Sequence, residues 1–172
     1  PAGRRIGEMT ERKTITVAPG KASTIFRLEG ARAITALKVK MDLPPHPEDF
    51  NILRELVLRI SWDNEFQPSI WSPLGDFFGT APGMNEYKSL PMGMTEEGFY
   101  SYWYMPFKKS ALIELVNDGS KEQTVTFTVT HAPLLPPVDK YGYFHVKWHR
   151  DAFLPDIPER KPLMADRSLH RK

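Results

Sequence analysis

The sequence predicts an all-β protein, a jelly-roll β-sandwich of about eight or nine antiparallel strands. Three observations carry this. Apolar residues recur with a period of two in most segments. Turn-forming residues, such as Asp63-Asn64 and Asn117-Asp118-Gly119, separate those segments. The longer connections are rich in Pro and Gly, and only residues 47–54 read as a short helical turn.

In chain order, strands are expected at residues 14–17 and 23–28, then where Leu37, Val39 and Met41 alternate with Lys38 and Lys40. The clearest is Leu56, Leu58, Ile60 and Trp62, alternating with Val57, Arg59 and Ser61 as a half-buried strand does. Residues 66–70, 99–105 and 111–116 follow. Val125, Phe127 and Val129 alternate with four threonines, and Phe144, Val146 and Trp148 with His145, Lys147 and His149. Phe99, Trp103 and Met105 on one face and Tyr100, Tyr102 and Tyr104 on the other make residues 99–105 apolar on both faces. A strand of that kind is buried on both, so a second domain or subunit is expected to cover it. Residues 72–94 have no period, with four glycines, three prolines and three methionines. They read as a long ordered loop at one end of the sandwich. Residues 1–150 are expected to form the domain and residues 151–172 a Pro-rich linker.

The composition narrows the function. The chain has 172 residues, no cysteine and a net charge of +2. Disulfides, thiolate catalysis and Cys-based metal sites are therefore excluded. No apolar run is long enough to span a membrane. Residues 1–12 are polar and do not read as a signal peptide. A trimmed chain would look the same, and the reading leans toward an extracytoplasmic protein. Residues 1–40 carry nine Lys or Arg against three Glu, while residues 41–139 carry six against fourteen acids. The basic ends lack the interleaved aromatics of a single-strand binder, so nucleic acid is not an expected partner.

Few motifs bear chemistry. His145 and His149 would lie about 13 Å apart on a strand, too far to share a metal; no metal or cofactor is expected. The chain has no G-x-S-x-G elbow, P-loop or dinucleotide fingerprint. Glu96 and Glu97 are neighbours that point apart, and Glu114 lies on a strand where structural pairing is the default. Asp76 stands beside Phe77, Phe78 and Trp71. These could form a sugar-stacking platform with a hydrogen-bonding carboxylate. Equally, the rings could plug the sandwich while Asp76 caps the loop backbone.

The blocks LRISWD, PSIWSPLGDFFG, SLPMG, YWYMPFKKSALIEL and YFHVKWHR, in that order, resemble glycoside hydrolase family 172 over about residues 34–150. The resemblance implies a tandem pair of jelly rolls that assembles into trimers or hexamers and hydrolyses furanosides with retention. It also implies two catalytic glutamates in the second jelly roll, in blocks resembling GEGD and GTEDYF. Neither block occurs in this chain, so it corresponds to the first jelly roll and the linker beyond, with no catalytic residue of its own. By the same resemblance the substrate-binding residues are Asp76, Phe77 and Phe78 in the GDFFG loop, Trp103 in the W-x-M-P-F block, and His145 and Arg150 at the strand ending the domain. Core packing is the other reading of Trp103 and Phe107. Where members carry an S-x-D-R-like segment, this chain has Gly7-Glu-Met-Thr-Glu-Arg12. The expected function is a pocket- and interface-shaping half of a furanosidase-like enzyme. The alternative is a non-catalytic carbohydrate-binding or assembly module.

Overall fold

The computed structural model describes residues 5–80 and 83–149; Arg150 and the expected linker at 151–172 lie outside the described residues. The protein is an all-β jelly-roll sandwich. Its strands are β1 (Met9–Val17), β2 (Lys21–Glu29), β3 (Arg32–Lys40), β4 (Leu56–Trp62), β5 (Ile70–Pro73), β6 (Tyr87–Lys88), β7 (Met92–Thr95), β8 (Gly98–Ser101), β9 (Met105–Phe107), β10 (Ser110–Asn117), β11 (Gln123–Pro133) and β12 (Val146–Lys147). Two short helices, α1 (Glu48–Glu55) and α2 (Leu74–Phe77), flank β4 and β5. Sheet A has the order β1-β11-β3-β8-β7-β6, with β9 on the far end of β3; sheet B has the order β12-β5-β4-β10-β2. Successive strands β1, β2, β3 and β4 therefore switch sheets at each step, as do β9 to β12.

The alternation read from the sequence sets the inner faces. Val39, Phe127 and Val129 of sheet A meet Leu58, Ile60 and Ile113 of sheet B, each at most 2% exposed. On the outer side β1 and β11 face each other through threonine hydroxyl pairs, Thr10–Thr130, Thr14–Thr126 and Thr16–Thr124, at 2.8–3.0 Å. A register shift between β10 and β2 skips Ile25, so the adjacent Ile25 and Phe26 are both buried. Asn117, fully buried, donates to the carbonyls of Val17 and Lys121 and accepts from Gly119 N–H. It ties the β10–β11 corner to the end of β1.

Five expectations need correction. Residues 66–69 are not a strand: Phe66 is 99% exposed and Pro68 has no N–H for a ladder, so pairing with β4 starts at Ile70. Asp63 and Asn64 do form a tight turn with positive φ, 53° and 64°, closed by Glu65 N–H to Trp62 O. It turns into a loop rather than directly into the next strand. The expected strand at 99–105 is two strands, β8 and β9, that pair with opposite ends of β3. Three residues, Tyr102, Trp103 and Tyr104, bridge a gap that β3 spans with two, so all three bulge outward and are 38–47% exposed. The last strand shrinks to Val146–Lys147, and it runs parallel to β5 rather than antiparallel. Residues 72–94 are not one loop. They hold the end of β5, α2, β6 and most of β7.

Gly98 fixes the β7–β8 hairpin against sheet A. Its φ is +122°, and a Cβ there would lie 2.4 Å from the Val39 carbonyl oxygen. That oxygen belongs to a central strand and cannot yield. Gly98→Ala is expected to cost about 2–3 kcal/mol, read as a lower midpoint in urea unfolding at unchanged slope.

Candidate functional site

The surface around Asp76 is assembled from three elements. α2 follows Pro73 directly and presents Asp76. α1 lies against it so closely that a Cβ on Gly75 would be 3.0 Å from Leu53 Cβ and 2.9 Å from Thr80 O. This contact brings Arg54 over Asp76, with Nε 2.8 Å from Oδ2. The pair is a close contact of charges without hydrogen-bond alignment, since Oδ2 has no hydrogen-bond donor aimed at it. β12 supplies the third part. Val146 and Trp148 N–H donate to Ser69 O and Trp71 O, which carries the Trp148 indole to α2. Its Nε1–H donates to Asp76 Oδ1 at 3.1 Å, and the Arg54 guanidinium lies 5.5 Å from its ring centre. Trp148 is 40% exposed and Trp71 56%. Across the outer face of sheet B, Glu114, Arg59, Trp71 and Lys147 form one row. Arg59 meets Glu114 at 3.3 Å, and Lys147 lies over the Trp71 ring.

Of the residues proposed from sequence, all but Arg150 have a definite place. Asp76 is part of this cluster, its side chain 15% exposed. Phe77 and Phe78 are 5% and 0% exposed and pack into the core, with Phe78 against Phe99. Phe107 is fully buried and stacks on Trp62. Trp103 is 40% exposed, donates to Met92 Sδ and faces Phe144; these neighbours are not those of Asp76. His145 is exposed, and Arg150 lies outside the described residues. Arg54 and Trp148, the other members of the cluster, carry no site motif in the sequence. Only the α1–α2 contact and the parallel β12 bring them to Asp76, and neither is visible in local sequence.

Chemically, the cluster offers a flat indole edge, a guanidinium and a carboxylate with the indole N–H bonded to Oδ1 and the Arg54 charge beside Oδ2. A carboxylate held this way can accept a hydrogen bond from a hydroxyl; it is poorly placed to act as a nucleophile. Among the described residues no group of three His, Asp or Glu is arranged to hold a metal.

Two further polar clusters are structural. Arg32 Nε donates to His131 Nδ1 at 2.6 Å, so His131 carries its proton on Nε2 and donates to Glu11 Oε1 at 2.9 Å. The histidine is 3% exposed and joins β3, β11 and β1. Asp63 accepts from the N–H groups of Lys108, Lys109 and Ser110 and from Tyr143 O–H. Burial raises its carboxyl, but the hydrogen bonds from Tyr143 and the three amides win and hold it below the usual carboxylate range. The same bond, with burial and nearby acids, pushes Tyr143 up to about 12.

The fold and this surface define a jelly-roll module with a polar, indole-bearing rim at one corner. The chain belongs to a glycoside hydrolase family: residues 7–129 match the family described as GH172 domain-like. The match includes Arg54 and Asp76 and ends before His145 and Trp148. No curated protein matches the chain.

Proposed function

We propose that this chain is the N-terminal jelly-roll part of a retaining, furanoside-acting glycoside hydrolase, and that it forms one wall of the substrate pocket. Membership of the family supports the enzyme class. The observation that carries the pocket assignment is the half-exposed Trp148 indole bonded to Asp76 beneath Arg54. An aromatic edge beside charge-bearing hydrogen-bond groups suits a sugar ring and its hydroxyls. The two catalytic glutamates come from a second jelly roll, about 5–5.5 Å apart as retention requires. The outward-turned Trp103 and Tyr104 favour a role in assembly as well, as a face for that second domain or for another copy in a trimer or hexamer.

The test uses the 172-residue chain with an arabinofuranoside, followed by tryptophan fluorescence. Binding without turnover is expected. Asp76→Ala should weaken it about tenfold or more, the worth of a charged hydrogen bond. Trp148→Phe should weaken it less, because an aromatic face stays although the N–H and the five-membered ring go. Hydrolysis of a p-nitrophenyl furanoside by this chain, or unchanged binding by Asp76→Ala, sinks the reading.

A further inference from the structure

The outer face of sheet A is a trough of about 950 Å³. Its floor is a cross-strand row that runs Arg12, Thr128, Lys38 and Tyr100 over β1, β11, β3 and β8. Lys40 follows Lys38 on the same face of β3. Strand spacing puts the backbones of Arg12 and Lys38 about 10 Å apart, and those of Lys38 and Lys40 about 7 Å. All three side chains are exposed. Among the described residues none of the three has a carboxylate within ion-pair distance. One wall is aromatic. Tyr100 and Tyr102 lie 5.0 Å apart at 34°, and Lys38 sits 5.8 Å from the centre of the Tyr102 ring. The tip is mainly acidic, with Glu86, Glu96 and Glu97 beside Lys88 also lining the trough.

Three like charges held this close, none of them in an ion pair among the described residues, keep the floor cationic although carboxylates line the tip, and mark a place for an anion. The ring wall and the free-standing floor are the right size for a short chain of sugar rings. The acidic tip confines the cationic floor to a short stretch, which suits a short anionic ligand rather than a long polyanion such as nucleic acid, and its carboxylates can accept from sugar hydroxyls. We infer that this trough binds an acidic glycan, a saccharide with carboxylate-bearing (uronate) units, through Arg12, Lys38 and Lys40, with a ring stacked on Tyr102. It does not depend on the furanoside reading, since it shares no residue with the Asp76 cluster.

Calorimetric titration of the full chain with short oligogalacturonides tests it. Neutral arabino-oligosaccharides and oligo-dT serve as comparison ligands. Saturable oligogalacturonide binding is expected, and it should weaken as salt rises above about 0.15 M. The exposed double variant Arg12→Gln/Lys38→Gln should bind about tenfold or more weakly at unchanged melting temperature. Tyr102→Ala should also weaken binding. Asp76→Ala should leave it unchanged, which separates this site from the corner surface. The inference is overturned by the absence of saturable binding, by equal affinity for the neutral glycan, by tighter binding of oligo-dT, or by a double variant that binds like the parent.

Discussion

Phe78→Ala is expected to lower the unfolding free energy by about 4 kcal/mol, which at this chain length moves the melting temperature by about 8–16 °C. The ring is fully buried, edge-on to Phe77 at 5.1 Å and tilted against Phe99 of β8 at 5.6 Å. Its backbone works too: the N–H closes α2 onto Leu74 and Gly75, and the carbonyl accepts the Tyr87 hydroxyl. Removing the ring leaves a cavity between α2 and sheet A that neither neighbour can fill. Phe78→Leu should recover most of the loss, with a residual cost of about 1–2 kcal/mol. Thermal melts of both variants, with furanoside titrations, separate the two readings that the sequence left open for this aromatic pair. A plug loses stability. A sugar platform would instead lose binding at nearly constant melting temperature, and that result would overturn the core assignment.

Asp63→Ala is expected to cost about 3 kcal/mol. It removes a charged acceptor from four donors, and it places Ala in a left-handed turn that Asp tolerates better. The freed amides of Lys108, Lys109 and Ser110 open the β9–β10 corner. Asp63→Asn keeps the turn and one acceptor, so its loss should be about half as large. The pH dependence follows from the direction of the shift. A carboxyl held below its unfolded value, about 3.9, contributes stability above that pH, and the contribution fades as pH falls through the lower folded value. Both variants should therefore have a flatter acid limb in pH-dependent melts. Tyr143 gives the opposite limb. Its phenol stays protonated past the usual 10 and ionises at about 12, so its contribution is complete below 10 and disappears as pH rises through about 12. Ultraviolet titration should find one phenol that moves back toward 10 in Asp63→Asn.

The strands were legible wherever one face is buried and the other wet. β4, β10 and β11 alternate over most of their length, and residues 125–131 show it best; in β4 Val57 is buried along with Leu56 and Leu58. Period fails where packing overrides it. Tyr100, Tyr102 and Tyr104 read as one face, but β3 is too short by one residue to pair straight through, so the bulge turns the strand out. The site was half legible. Asp76 stands out as the single acid among aromatic and glycine neighbours. Its partners do not, because Arg54 lies on a weakly patterned helix and Trp148 on a two-residue strand whose parallel pairing leaves no turn signal. Asp63-Asn64 announced a turn; nothing local announced that the carboxylate would capture amides more than forty residues away.

The pairing of β1 with β11 has a consequence for how the chain comes into being. Met9 faces His131, and Val17 faces Gln123. β1 therefore waits, without its neighbour, until most of this domain has been synthesised. Sheet A cannot zip up from its own N-terminus, and its closure carries the loop entropy of more than one hundred residues. Folding is set by that late meeting and belongs to the millisecond-to-second class of non-local β proteins. The exposed threonines of β1, which find hydroxyl partners only on β11, keep the waiting strand polar on one face and blunt its tendency to pair with another nascent chain.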